Sequence, residues 1–272
     1  MKLSDIPRIT SLQNPLVKEV VRLQQKASVR NQTRSFVIEG VREIAQAIRS
    51  DVQINYLYVC LDFFRPDPHY PVDLGQLESR IRAVSPAVFE KMAYRGSAGG
   101  LLAVADCFNT SIERIQLSEK ALVFVLEAIE KPGNLGAILR TADATGADAV
   151  VVCDPKTDVF NPNVIRSSLG CVFSVKTAVC DKNDYFQWAS QQGITSYLAS
   201  LQGSKYYFEA DFRKSTALVF GTESEGLSAQ WYSKVDQHLK IPMLGQADSL
   251  NLSASVAIMA YEVVKQRIIH AR

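Results

Sequence analysis

Three short loops hold the residues with chemistry to offer. The first, EKPGNLGAILRTADATG (Glu130–Gly146), follows the apolar run ALVFVLEAI and precedes DAVVVC, so it lies between two candidate buried strands. Within it Asn134 is suited to cap a helix, Gly136 clears the side chain beside position 140, and Arg140 offers a guanidinium about one turn into that helix. The second, GTESEGLS, sets the Glu223 carboxylate among amides that Gly221 and Gly226 leave exposed in a tight turn. The third, IPMLGQADSLNLSAS, interrupts an apolar run with Ser249 and Asn251 just before another helix. A guanidinium is normally a fixed cation suited to a phosphate or an oxyanion, while a carboxylate, an amide and a hydroxyl offer hydrogen bonds. Taken singly, each loop is a glycine turn after a strand, with Glu223 capping the following turn and Asn251 the last helix.

Other chemistries are poorly supported. The first loop is neither G-x-G-x-x-G nor a Walker loop, which argues against a dehydrogenase or a P-loop enzyme. The five cysteines (60, 107, 153, 171 and 180) form no C-x-x-C pair and mostly sit in apolar strand-like segments, where they read as small core residues. The three histidines (69, 238 and 270) are scattered, so no zinc site and no Cys-His nucleophile is expected. Met1–Ser11 has no apolar h-region and no stretch reaches the roughly 20 apolar residues of a membrane helix, so the expected location is cytoplasmic.

The elements that position these loops follow from the hydrophobic pattern. From Ala121 onward, apolar β-branched strands (ALVFVLEAI, DAVVVC, VFSVKTA, ITSYLAS, TALVFG, HLKIPM) alternate with helices, the last being LSASVAIMAYEVVKQRI. That alternation implies α/β with a parallel sheet covered on both faces, and such sheets bind ligands outside the carboxyl ends of their strands. The loops after 129, 220 and 243 are the three already named. A smaller α/β domain precedes them over residues 1–106, closed by YRGSAGGLLAVADC, with the polar segment 107–120 as linker and 121–272 as the second domain.

Charge is uneven between the two. The chain totals +2, but residues 1–50 hold nine Lys and Arg against four acids, giving +5 and leaving −3 for the remainder. Asn14 and Pro15 predict a helix start, with the helix running to about Val29. Along it Lys18, Arg22, Lys26 and Arg30 recur every four residues, a basic stripe about 18 Å long. It reads either as a solvated face or as a surface for a polyanion, and Glu19 alone interleaves it.

In their order, N-L-G-A-I-L-R-T-A, F-G-T-E-S-E-G-L-S and I-P-M-L-G-x-x-x-S-L-N-L-S resemble the three motifs of the SpoU/TrmH family of RNA ribose 2′-O-methyltransferases, within the SPOUT superfamily. The opening ITSLQNPLVKEVVRLQQKASVRNQTRSFVIEGVREI resembles that family's substrate-binding domain, similar to the L30e fold of a ribosomal protein. The resemblance runs from about Ile9 to Arg267; Ser224 stands where many members have glycine.

The resemblance implies a deep trefoil knot in the carboxyl-terminal sheet domain, which connection rules alone would not give, and a homodimer formed through that domain. It implies S-adenosylmethionine as cofactor, held by Gly221, Ile241 and Leu250 with Thr222 and Met243, and a catalytic set of Asn134, Arg140, Glu223, Ser249 and Asn251. It implies RNA as partner, met by Lys18, Arg22, Lys26 and Arg30, with neither metal nor membrane. Ribosomal RNA is the first expectation, because a separate L30e-like domain suits structured RNA. Transfer RNA and a non-catalytic RNA-binding homologue are the alternatives.

Overall fold

The computed structural model describes residues 6–94 and 98–269. Residues 1–5, Gly96 of the predicted closing segment and His270 lie outside them. The chain forms two compact units, Met1–Asn109 with Asp158–Ser174, and Thr110–Thr157 with Val175–Arg272.

The first unit opens with β1 (Arg8–Ile9) and α1 (Pro15–Gln25), where Asn14 Oδ1 accepts the Leu16 N–H at 2.9 Å and Pro15 supplies the first helical residue. The single helix expected to Val29 is in fact two. At Lys26 the backbone becomes extended (φ −122°, ψ 113°) and α2 (Ala27–Thr33) starts afresh. The break frees the carbonyls of Leu23 and Gln24, and Arg30 Nη1 turns inward to donate to them at 2.6 and 3.4 Å. There follow β2 (Ser35–Glu39), α3 (Val41–Arg49), β3 (Ile54–Val59), β4 (Ile81–Val84), α4 (Pro86–Met92) and β5 (Leu101–Asp106). The sheet order is β1-β4-β3-β5-β2, with β5 antiparallel to both neighbours. Val17, Val20 and Leu23 of α1 lie against Tyr58, Val88, Phe89 and Val104 in the core, the apolar side that the four-residue basic spacing leaves inward.

The second unit begins with β6 (Leu122–Glu127), α5 (Pro132–Thr145) and β7 (Ala149–Cys153). Gly146 ends α5 in a left-handed turn (φ 64°), which a residue without a Cβ adopts at no steric cost. The chain then contributes α6 (Pro162–Ser167) and α7 (Cys171–Ser174) to the first unit, although the pattern placed this stretch within 121–272. Its attachment is aromatic and ionic. Phe160 and Phe173 join Phe36 at centroid distances of 5.0 and 6.1 Å, Phe108 meets Phe160 at 4.8 Å, and Arg30 Nε donates to Asp158 Oδ2 at 2.6 Å.

Back in the second unit come β8 (Thr177–Cys180), α8 (Lys182–Gln191), β9 (Thr195–Ala199), β10 (Lys205–Tyr206), β11 (Thr216–Phe220), α9 (Ala229–Lys234), β12 (His238–Lys240) and α10 (Leu252–Ile269). The segment VFSVKTA, expected as one strand, is divided between α7 and β8. The seven strands are parallel throughout, in the order β10-β12-β9-β11-β6-β7-β8. LVFVLE, AVVVC and TALVF are buried along their whole length, as befits strands covered on both faces. Among the described residues, no helix is long and apolar enough to cross a membrane.

Candidate active site

The carboxyl ends of β9, β11 and β12 surround a cavity of about 300 Å³. Its walls are Ala199–Gln202 at the end of β9, Phe220–Gly226 at the end of β11, Ile241 and Met243 after β12, and Ser249, Leu250 and Leu252 at the entry to α10. The β11 loop owes its shape to Gly221, where an added Cβ would lie 2.1 Å from the Gly226 carbonyl carbon. Thr222 and Gly226 exchange backbone hydrogen bonds at 3.0 and 3.1 Å, and Thr222 Oγ1 accepts the Glu225 N–H at 3.0 Å. A smaller cavity of about 110 Å³ shares Thr222, Glu223, Ser224 and Leu252 with the first and adds Ile129, Glu130, Lys131 and Asn134.

Glu223 joins the two. Its Oε1 accepts Asn251 Nδ2 at 2.7 Å, Asn134 Nδ2 at 3.0 Å and the Leu252 N–H at 3.4 Å, while Oε2 pairs with Lys131 Nζ. The Lys131 ammonium, then the Asn134 amide, hold the Glu223 carboxyl below its ordinary range, so it is an anion at neutral pH. Asn251 Nδ2 also lies 3.2 Å from Asn134 Oδ1, and Asn251 Oδ1 accepts the Ser253 N–H at 3.0 Å, capping α10 while serving the cluster. Three residues from three loops therefore meet. Asn134 does so differently from expectation. Pro132 opens α5 with Lys131 as its flanking residue, so Asn134 is two residues inside the helix, and its side chain reaches Glu223 instead of capping.

Ser249 lies on the wall of the larger cavity, with Leu250 37% exposed beside it. Arg140 sits further along α5, exposed, and lines neither cavity. Among the described residues it has no ion-pair partner, leaving the guanidinium available to an external anion.

Sequence reasoning missed three contributors. Lys131 stands in the quoted loop itself, as the cation immediately before the helix. Ala199–Gln202 follow a strand, and the rule that picked the other loops points at them too. Glu127, buried at the end of β6, anchors the far end of the β11 loop: its carboxylate accepts the Ser228 N–H at 2.8 Å, the Ser228 hydroxyl at 2.7 Å and Lys182 Nζ at 2.8 Å. Burial alone would raise its pKa, but these hydrogen bonds outweigh it and hold the carboxyl low.

The larger cavity suits the expected cofactor. Phe220, Leu239 and Ile241 supply apolar wall for a purine, and the Gly221 backbone permits close approach. Among the described residues, no group of three or more His, Cys, Asp or Glu side chains is arranged to hold a metal ion.

In the first unit Lys18, Arg22 and Lys26 are exposed, as a basic face requires. Arg30 is not part of it. Only 2% exposed, it is enclosed by Asp158 and the α1 carbonyls, because the break at Lys26 rotates it from the stripe into the core.

Residues 121–261 match the SpoU rRNA Methylase family, and residues 14–103 match the MRM3-like substrate binding domain. The chain is 31% identical over 258 residues to the 23S rRNA (guanosine(2553)-2′-O)-methyltransferase RlmP of Bacillus subtilis, covering 94% of this chain and 98% of that protein. Among solved structures it resembles an AdoMet-bound rRNA methyltransferase from Sinorhizobium meliloti, with TM-score 0.86 and 28% identity over 96% of this chain and 98% of that one. It also resembles an RNA 2′-O ribose methyltransferase, with TM-score 0.81 and 37% identity over 96% of this chain and all of the other.

Proposed function

The chain belongs to the SpoU rRNA methylase family, and from that premise we propose that it methylates a ribose 2′-hydroxyl of ribosomal RNA with S-adenosylmethionine as donor. The observation that carries this reading is the convergence of Asn134, Glu223 and Asn251 at the edge of the cavity lined by Gly221, Ile241, Met243 and Leu250. Bound S-adenosylmethionine supplies an electrophilic methyl group, and Gly221, Thr222, Ile241, Met243 and Leu250 are the residues that would hold it.

The reaction needs the acceptor oxygen aligned behind the methyl carbon and partly deprotonated. Alignment alone can remove about 7–11 kcal/mol of barrier. Glu223, kept ionised by Lys131, fixes the Asn134 and Asn251 amides, and that cluster orients the ribose hydroxyl. Ser249, on the cavity wall, adds a local hydrogen bond. Arg140 clamps the phosphate or the developing oxyanion, a role supported by its exposure and by its having no ion-pair partner among the described residues.

The first unit, with residues 1–106 as its L30e-like part, holds the RNA through Lys18, Arg22 and Lys26. Its similarity to a substrate binding domain supports this. The protein acts in the cytoplasm as a homodimer joined through the second unit, where α10 exposes Tyr261 and Ile268. The carboxyl-terminal chain forms a deep trefoil knot. Support comes from its path: after β12, beyond β9, it returns to pack α10 on α5 and β11.

The test is methyl incorporation from labelled donor into unmodified total RNA, followed by mapping of ribose methylation. Label in ribosomal RNA is the expected result. Label confined to transfer RNA replaces the substrate, and none in either leaves an RNA-binding homologue.

A further inference from the structure

Outside the cofactor cavity, the edge of the seven-stranded sheet exposes an aromatic pair. Tyr206, the last residue of β10, is 39% exposed and Phe208 48%; their rings stack at 5.3 Å between centroids and 14° between planes. Tyr207 meets Phe208 edge-on at 5.3 Å. Lys240 Nζ lies 5.1 Å from the Tyr206 ring centroid, and Lys205 is exposed on the same strand. The parallel pairing of Tyr206 with Lys240 ties this patch to the cavity, since Ile241 on its wall is the next residue. The mounting is stiff. A Cβ on Gly203 would lie 2.5 Å from the Leu239 carbonyl carbon, Ser200 N donates to Leu239 O at 2.9 Å, and Glu209 accepts the Tyr206 N–H at 2.6 Å.

Exposed rings accompanied by ammonium groups fit a nucleobase and its phosphate. The buried centre of a protein interface is depleted in lysine, and the acid at the patch, Glu209, is engaged by the Tyr206 N–H. We propose that Tyr206 and Phe208 form a stacking platform for an unpaired base next to the acceptor nucleotide, with Lys205 and Lys240 on its phosphate. This inference rests on the methyltransferase reading and adds a specificity surface to it.

The full-length protein is tested with a fluorescein-labelled oligoadenylate by anisotropy and, in parallel, by methyl incorporation into RNA. Joint replacement Tyr206→Ala and Phe208→Ala weakens oligoadenylate binding about tenfold or more and raises KM for RNA by a similar factor. It leaves kcat and S-adenosylhomocysteine affinity unchanged. Joint replacement Tyr206→Phe and Phe208→Tyr binds like wild type. Lys240→Gln, which keeps both rings, reduces the salt slope of binding by about 0.7. Unchanged affinity in the alanine variant, an unchanged slope in Lys240→Gln, or dissociation of the protein's own oligomer in the alanine variant would each overturn the platform. Failure of wild type to methylate any RNA would instead overturn the reading beneath it.

Discussion

Asn251 donates to Glu223 at 2.7 Å across 28 residues of chain, and through that bond the start of α10 is tied to the loop after β11. Because Asn134 shares the same oxygen, loss of the carboxylate releases both amides at once. Glu223→Ala should lower kcat about a hundredfold, the scale of a 1 Å misplacement at a reacting centre. Glu223→Gln, which keeps an acceptor oxygen but not the Lys131 ion pair, should lose less. Single-turnover methylation of ribosomal RNA checks the ranking, and equal losses would mean that charge, not geometry, is what the reaction needs.

Arg140→Ala should abolish detectable methylation, with a loss of at least about 10²–10³ in kcat, while S-adenosylhomocysteine binding by calorimetry stays at the wild-type value. Arg140 lines neither cavity, so its removal leaves the walls of both intact. Retained turnover would take Arg140 out of the mechanism.

The basic residues of the first unit divide by exposure. Replacing Lys18, Arg22 and Lys26 with Gln should weaken RNA binding and flatten its salt dependence by about 0.7–0.9 per charge, with no change in melting temperature. Arg30→Gln should do the reverse. It strands Asp158 in a largely buried setting, costing about 3–5 kcal/mol of stability. Urea unfolding beside filter binding at several salt concentrations separates the two groups.

Gly221→Ala should abolish cofactor binding, since the new methyl group would strike the Gly226 backbone and spread the turn. Gly226→Ala has open space at its Cβ and is opposed only by its left-handed backbone (φ 70°), at roughly 1–2 kcal/mol. Calorimetric titration with S-adenosylhomocysteine should rank the two in that order.

Glu127 carries a pH signature. Its folded pKa is depressed, so its contribution is complete above the unfolded carboxylate value of about 4.3 and disappears as pH falls through the lower folded value. Melting temperatures of wild type and Glu127→Gln should differ by a constant amount from about pH 7 to 5 and converge only as pH falls through the depressed folded value. A gap that persists in acid would assign the difference to packing.

The three loops were legible because each is local: a buried strand, a turn with glycine, then a helix, with polar residues where an apolar pattern stops. What escaped was set by distant partners. The bend at Lys26 and the burial of Arg30 depend on Asp158, 128 residues away, and no helical period encodes that ion pair. Asn134 was misread as a cap because Pro132 starts the helix earlier, a shift of one or two residues that spacing rarely resolves. The attachment of Phe160 and Phe173 to Phe36 is likewise a tertiary choice, since a short amphipathic stretch pairs with whichever apolar surface lies within reach.

The interleaving of Asp158–Ser174 with the amino-terminal sheet means that the backbone passes between the units three times, after Asn109, Thr157 and Ser174. Cutting the gene after residue 106 would therefore yield an orphaned half lacking the acid that neutralises Arg30 and three of the four clustered phenylalanines. Swapping such halves between relatives to change RNA preference would demand that this insert travel with its host sheet.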